Sequence, residues 1–146
     1  MPVTDEMVAA MRAYLMRDYE QFRRRNSAFD GSRTQRRAFL ALLTAAFVKG
    51  VQRRFPESPA RDEIIDFVAE LRARGDELRE LEPNATERMI ELVFDDSVEV
   101  GDIDGKQSIG IRLSVLAQIF YDEDPDSAEL EDFLDRSRAF ADEMLG

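Results

Sequence analysis

The chain has no histidine, no cysteine and no tryptophan in 146 residues, and its only lysines are Lys49 and Lys106. Each absence removes a class of chemistry. Without imidazole there is no Ser-His-Asp triad, no His-ligated zinc and no Glu-x-x-His di-iron centre. Without thiols there are no disulfides, thiolate metal sites or cysteine nucleophiles, which fits a reducing compartment. Any catalysis would fall to carboxylates, Tyr, Ser, Thr, Lys or Arg, with Mg²⁺ or Mn²⁺. No apolar run reaches the roughly 18 residues that span a bilayer. The acidic start MPVTDEMV lacks the basic-then-apolar order of a signal peptide. A cytoplasmic protein with no membrane contact and no cofactor is the expectation.

Hydrophobic residues make up 44 % of the chain and aromatics 9 %, enough to fold, and the length suits one domain over residues 1–146. Basic charge is almost wholly arginine, at 18 positions, and the net charge is −11. That charge is unevenly spread. Residues 1–60 carry 11 basic and 6 acidic side chains, whereas residues 61–146 carry 9 and 25. Such asymmetry bears on partners rather than on fold.

The periodicity predicts an all-α bundle of about six helices. Thr4 caps the first, which the stripe Val8, Met11, Leu15, Tyr19 and Phe22 carries from Asp5 to Asn26. Asp30-Gly31-Ser32 marks a turn. The second helix, Thr34 to Phe55, contains Ala38–Val48, a stretch with one hydroxyl and no charge. Apolar nearly all round, it reads as the buried centre of the fold, with Gly50 permitting a close helix contact. Ser58 and Pro59 start a third helix that runs through Gly75 to Leu81 on Ile64, Val68, Leu71, Leu78 and Leu81. Asn84 and Glu87 suggest a capping box for a fourth, ending near Asp95. Residues 96–106 are the least helical stretch. A fifth helix spans Gln107 to Tyr121. The last covers Ser127 to Leu145, with Leu130, Phe133, Leu134, Phe140 and Met144 facing inward.

A shift of 66 residues brings Pro59 onto Pro125, Ile64 onto Leu130, Phe67 onto Phe133 and Val68 onto Leu134. Leu43, Phe47 and Val51 fall on Ile109, Leu113 and Ala117. Two pseudo-repeated three-helix units, 4–82 and 84–146, would follow, each with one central apolar helix.

Four constellations could carry function. Arg23, Arg24, Arg25, Arg33, Arg36 and Arg37 flank the first turn, and guanidinium forks suit phosphate or carboxylate oxygens. Glu77-x-x-Glu80 is followed, after 18 residues, by Glu99-x-x-Asp102. That spacing resembles the all-α nucleoside-triphosphate pyrophosphatases of the MazG and dUTPase-like kind, which implies Mg²⁺ held by those four carboxylates. Pro83 and Asn84 interrupt the segment, and Glu99-Val-Gly-Asp102 lies in the non-helical stretch, so the pattern departs from that family. Asp102-Ile-Asp104-Gly105 and Asp122-x-Asp124-x-Asp126 have partial calcium-loop spacing but lack the closing acid, with Ile111 and Phe133 at the twelfth positions. Ten Phe and six Met could fill a core or line a pocket for a small apolar ligand.

The leading functional reading is a non-enzymatic regulatory or scaffolding protein that works by protein–protein interaction, including self-association. The alternatives are a nucleic-acid-associated accessory protein using the Arg cluster and, behind it, a Mg²⁺-dependent nucleotide phosphohydrolase.

Overall fold

The computed structural model describes all residues, 1–146, and contains only helices and turns. Seven α-helices follow in order: α1 Asp5–Leu15, α2 Tyr19–Ser27, α3 Arg33–Arg54, α4 Arg61–Arg72, α5 Pro83–Leu92, α6 Gly105–Glu123 and α7 Ser127–Leu145. One 3-10 turn, Glu77–Glu80, lies between α4 and α5. The all-α bundle is as expected. No helix is long and apolar enough to cross a membrane.

The core sits around α3, which packs against α7, α6 and α1. Its buried side chains, among them Ala38, Phe39, Leu42, Ala45, Ala46, Phe47 and Val51, point to several sides of the helix. That is what a charge-free stretch demands in water. Met7 and Met11 of α1, Leu116 and Ile119 of α6 and Leu134 of α7 are fully buried in the same core. Each such side chain is worth about 1.5–3 kcal/mol of apolar burial. Gly50 makes the expected close contact: a Cβ there would stand 2.9 Å from Leu116 Cδ2 on α6. One turn on, Arg53 donates to Glu123 and to Glu129, each at 2.7 Å. It joins the end of α3 to the end of α6 and the start of α7.

The structure corrects several readings. The first helix is two helices. At Leu15 the chain closes in a Schellman turn, where Arg17 N–H donates to Tyr14 C=O and Asp18 N–H to Ala13 C=O. Arg17 occupies the left-handed region at φ 66°, a position usually given to glycine. Asp18 then caps α2 by accepting the Gln21 N–H. The third expected helix stops at Arg72 rather than crossing Gly75. Arg72 closes that end, donating to the carbonyls of Leu81 and Arg79. Its start is also later, because Ala60 is the cap and Glu63 folds back to accept the Ala60 N–H. Lastly, Glu82 caps α5 in place of Asn84, accepting the Asn84 and Ala85 N–H groups ahead of Pro83's ring-fixed first turn. Asn84 instead accepts from Arg88 at 2.9 Å. Met144, assigned to the inner face of α7, is 42 % exposed.

Residues 96–104 form turns with no strand, and Ile103 plugs them onto the core. Asp104 ends the segment by capping α6 through the Gln107 N–H.

Candidate binding groove and arginine turn

The turn between α2 and α3 gathers the arginine cluster. Phe29 buries its ring against Phe39 at 5.2 Å and holds the turn down, while Ser32 caps α3 by accepting the Gln35 N–H. Arg24 and Arg25 then lie in the last turn of α2, where cations suit the carbonyl dipole, with Arg23 at mid-helix just before them. Arg33, Arg36 and Arg37 lie at the start of α3, where they oppose the helix dipole. Two of the six are neutralised: Arg25 pairs with Glu6 at 3.1 Å and Arg36 with Asp30 at 2.7 Å. Arg23, Arg24, Arg33 and Arg37 are exposed and belong to none of the ion pairs in the structure.

Toward the start of α2 lies a surface groove of about 670 Å³. The Arg17 elbow opens it, because α2 leaves the line of α1. Tyr14, Tyr19, Phe22 and Arg23 form one wall. The end of α4 and the 3-10 turn contribute Leu71, Arg74, Glu77 and Leu78, and α6 supplies Ser114, Ala117, Gln118 and Tyr121 as the floor. All three tyrosines of the chain are here. Tyr14 is the anchored one. It donates to Leu113 C=O at 2.6 Å and meets Tyr19 edge-on at 5.4 Å, and burial pushes its hydroxyl pKa well above the ordinary value. Tyr19 and Tyr121 are 41 % and 54 % exposed.

The cations of the groove are placed by specific contacts. The guanidinium of Arg74 lies 4.7 Å from the Tyr121 ring centroid and that of Arg17 5.4 Å from it. Arg74 also pairs with Asp122 at 2.8 Å, and Arg17 reaches Asp124 at 4.0 Å. Gln118 is buried and donates to the other oxygen of Asp122 at 2.9 Å. Asp122 thus fixes two groove side chains at once.

The carboxylates that suggested Mg²⁺ chemistry do not assemble. Glu77 and Glu80 sit on the 3-10 turn, and Glu99 and Asp102 on the turns after α5. Arg88 grips Asp102 with both arms, at 2.7 and 3.0 Å, and also donates to Glu99 C=O. The hydrogen bonds from Arg88 hold the Asp102 carboxyl below its ordinary pKa. No three acidic side chains anywhere in the chain converge into a group that could hold a metal ion. The partial calcium loops have structural work instead: Asp104 and Asp126 cap α6 and α7, and Asp122 braces the groove. Under α2, the cavity between Phe22, Phe39, Leu43 and Leu113 is about 40 Å³, too small for an apolar ligand.

Sequence reasoning found the arginine turn and missed the groove. Tyr14, Arg17, Arg74 and Tyr121 come together only through tertiary packing. The one local signal was Asp18-x-x-Gln21, a cap pattern inside an otherwise unbroken helical stripe. No protein-family model, curated protein or solved structure matches the chain.

Proposed function

We propose that the protein is a non-enzymatic, cytoplasmic regulatory or scaffolding module that acts by binding another protein, a second copy of itself included. The observation that carries this reading is the arginine turn. Arg23, Arg24, Arg33 and Arg37 stand exposed and unpaired in a chain with 31 acidic side chains available to neutralise them. Arg33 and Arg37 also oppose the dipole of α3, so stability does not account for their placement. An unpaired basic end and an acidic second half suit docking onto a charged surface. Light scattering across a salt series tests self-association. The protein should associate at low salt and dissociate as screening rises, and Arg24→Glu with Arg33→Glu and Arg37→Glu should remain monomeric throughout. A wild-type monomer at every salt concentration, with no crosslinked partner recovered through a photoreactive residue at position 33, would remove the reading.

A nucleic-acid accessory role is the second reading. It is supported by the exposed N-terminal end of α3, where backbone N–H groups and arginines present the donors that phosphate takes. A low-salt mobility shift, steeply weakened by added salt and abolished in the same triple variant, would favour it over protein docking.

We also propose that residues 4–82 and 84–146 are related as a duplication. Buried Ile64, Phe67, Val68 and Leu71 of α4 fall, at the 66-residue shift, on buried Leu130, Phe133, Leu134 and Ser137 of α7. Gly50 contacts Leu116, its own counterpart, as residues near a two-fold axis do. The last helix of each unit packs on the other unit, α4 on α5 and marginally on α6, and α7 on α1 and extensively along α3, so the likeness is in order of elements rather than in extent of contact.

A further inference from the structure

We propose that the groove between the Arg17 elbow, the end of α4 and the last turns of α6 is a binding site for a small planar aromatic anion. The site shares Arg23 with the arginine cluster but none of Arg24, Arg33 and Arg37, the residues that test the protein-docking reading. Its volume, about 670 Å³, is that of an ordinary small-molecule site.

Its lining is matched to such a ligand in two ways. The first is flat apolar surface. Tyr19 and Tyr121 leave much of their rings in water while every other tyrosine or phenylalanine of the chain is less exposed. A planar ring laid against Tyr19 and the edge of Tyr121, or stacked on the guanidinium groups that cover Tyr121, would recover that apolar area. The second is charge. Arg17, Arg23 and Arg74 line the groove with Glu77 as the one acidic lining residue; Arg17 and Arg74 are paired with Asp124 and Asp122 behind them, which leaves Arg23 as the cation without a partner. Arg74 and Arg17 are already oriented over Tyr121 and braced by Asp122 and Asp124. Arg23, on the facing wall, has no carboxylate partner, so its donors are free for an incoming anion. Gln118 adds a neutral recognition group. Its amide nitrogen is committed to Asp122, and its oxygen accepts no hydrogen bond from the protein. The elbow itself supports a dedicated site, because Arg17 holds a left-handed conformation that disfavours any residue but glycine.

Carboxylate and phosphate are the two sources of such an anion, so salicylate and adenosine 5′-monophosphate are the probes. The chain has three tyrosines and all of them line the groove. Ring-labelled tyrosine NMR therefore reports on this site alone. At millimolar concentration, one or both probes should shift the Tyr19 and Tyr121 signals in a saturable way. Which probe does so identifies the anionic group. Benzamide, aromatic but neutral, and cyclohexanecarboxylate, anionic but not planar, should bind roughly ten-fold more weakly or not at all. Arg23→Gln should weaken binding about ten-fold. Arg17→Gly, which suits the backbone while removing the guanidinium, should weaken it without lowering the melting temperature. No saturable shift with either probe overturns the proposal, as does equal binding of benzamide, or unchanged affinity in a folded Arg23→Gln protein.

Discussion

In the first half of the chain α3 ends at a proline-containing break, α4 follows, and Phe55 meets Phe67 edge-on with ring centroids 5.8 Å apart. In the second half α6, another proline-containing break and α7 bring Phe120 against Phe133 in the same manner at 4.7 Å. The entrances to the two central helices differ. Two helices with an elbow between them lead into α3, whereas α5 and a run of turns lead into α6. The shared portion is a packing solution that any chain of this pattern needs. The unshared portion supplies the exposed Tyr19, the left-handed Arg17 and the arginine turn. The groups to which the proposed binding roles are assigned lie where the halves diverge.

The most damaging way to probe the comparison is to put charge into the centre. Phe47 is 3 % exposed on α3, and Phe47→Asp would bury a carboxylate with no partner. The domain should lose its cooperative melt and most of its helical circular dichroism. The counterpart, Leu113→Asp, sits at a half-buried position and should leave a folded, less stable protein. Equal outcomes would mean that α3 is no more central than α6.

Phe67→Ala and Phe133→Ala form a matched pair. Both rings are buried, and each truncation should cost about 3–5 kcal/mol by loss of apolar burial and creation of a cavity. Chemical denaturation measures both. A difference of more than about half that range would break the equivalence of α4 and α7.

The close approach of the two central helices gives the next effect. Gly50→Leu drives a side chain into the space of Leu116 and should destabilise by about 1–3 kcal/mol. Gly110→Ala on α6, where an added Cβ meets nothing within 4 Å, should stabilise by about 0.5–1 kcal/mol through helix propensity alone. The opposite signs separate a glycine needed for contact from one that is merely tolerated.

How much of this was legible in the sequence follows from what each feature depends on. The centre of α3 was legible because eleven residues without charge, Ala38–Val48, can only be buried. The course of α7 was legible because Pro125 breaks the chain before it and Leu130, Phe133, Leu134 and Phe140 hold one stripe along it. The elbow was not. A Schellman turn at arginine leaves the period of Val8, Met11, Leu15, Tyr19 and Phe22 intact, and no glycine announces it. The end of α4 was hidden for a related reason: Leu78 and Leu81 still reach the core from a 3-10 turn, so the apolar pattern outlasts the helix. The arginine turn was legible from its flanking clusters, but which arginines lack partners was set by Glu6 and Asp30, one of them far away in sequence.

The 66-residue shift sets Leu71 of α4 against Ser137 of α7, and both are buried. The Ser137 hydroxyl has no hydrogen-bond partner. Ser137→Ala removes an unsatisfied polar group and improves helix propensity, so it should stabilise by about 1 kcal/mol. A loss of stability instead would show that the hydroxyl has a partner in solution, such as a buried water.

The smallest effect concerns two bidentate ion pairs of different reach. Arg12 on α1 grips Glu131 on α7 at 2.7 and 2.8 Å, joining the two halves, while Arg88 and Asp102 close a loop within the second. Hydrogen bonds from the arginines hold both carboxyls below their ordinary pKa. A lowered folded-state pKa means the ionised form binds better in the folded chain. The stabilisation is therefore complete above the ordinary carboxylate range near pH 4 and is lost as pH falls through the lower folded value. Both pairs are solvent-exposed, so screening leaves Arg12–Glu131 worth a few tenths of a kcal/mol. Carboxyl NMR titration should show Glu131 rising to its ordinary pKa in Arg12→Gln, and Asp102 doing the same in Arg88→Gln. Hydrogen exchange then separates them. Arg12→Gln should speed exchange in both α1 and α7, because one contact holds two distant helices, whereas Arg88→Gln should speed it only between α5 and α6. Faster exchange of α1 in the Arg88 variant would mean that the halves are coupled through the loop and that their entrances are not independent.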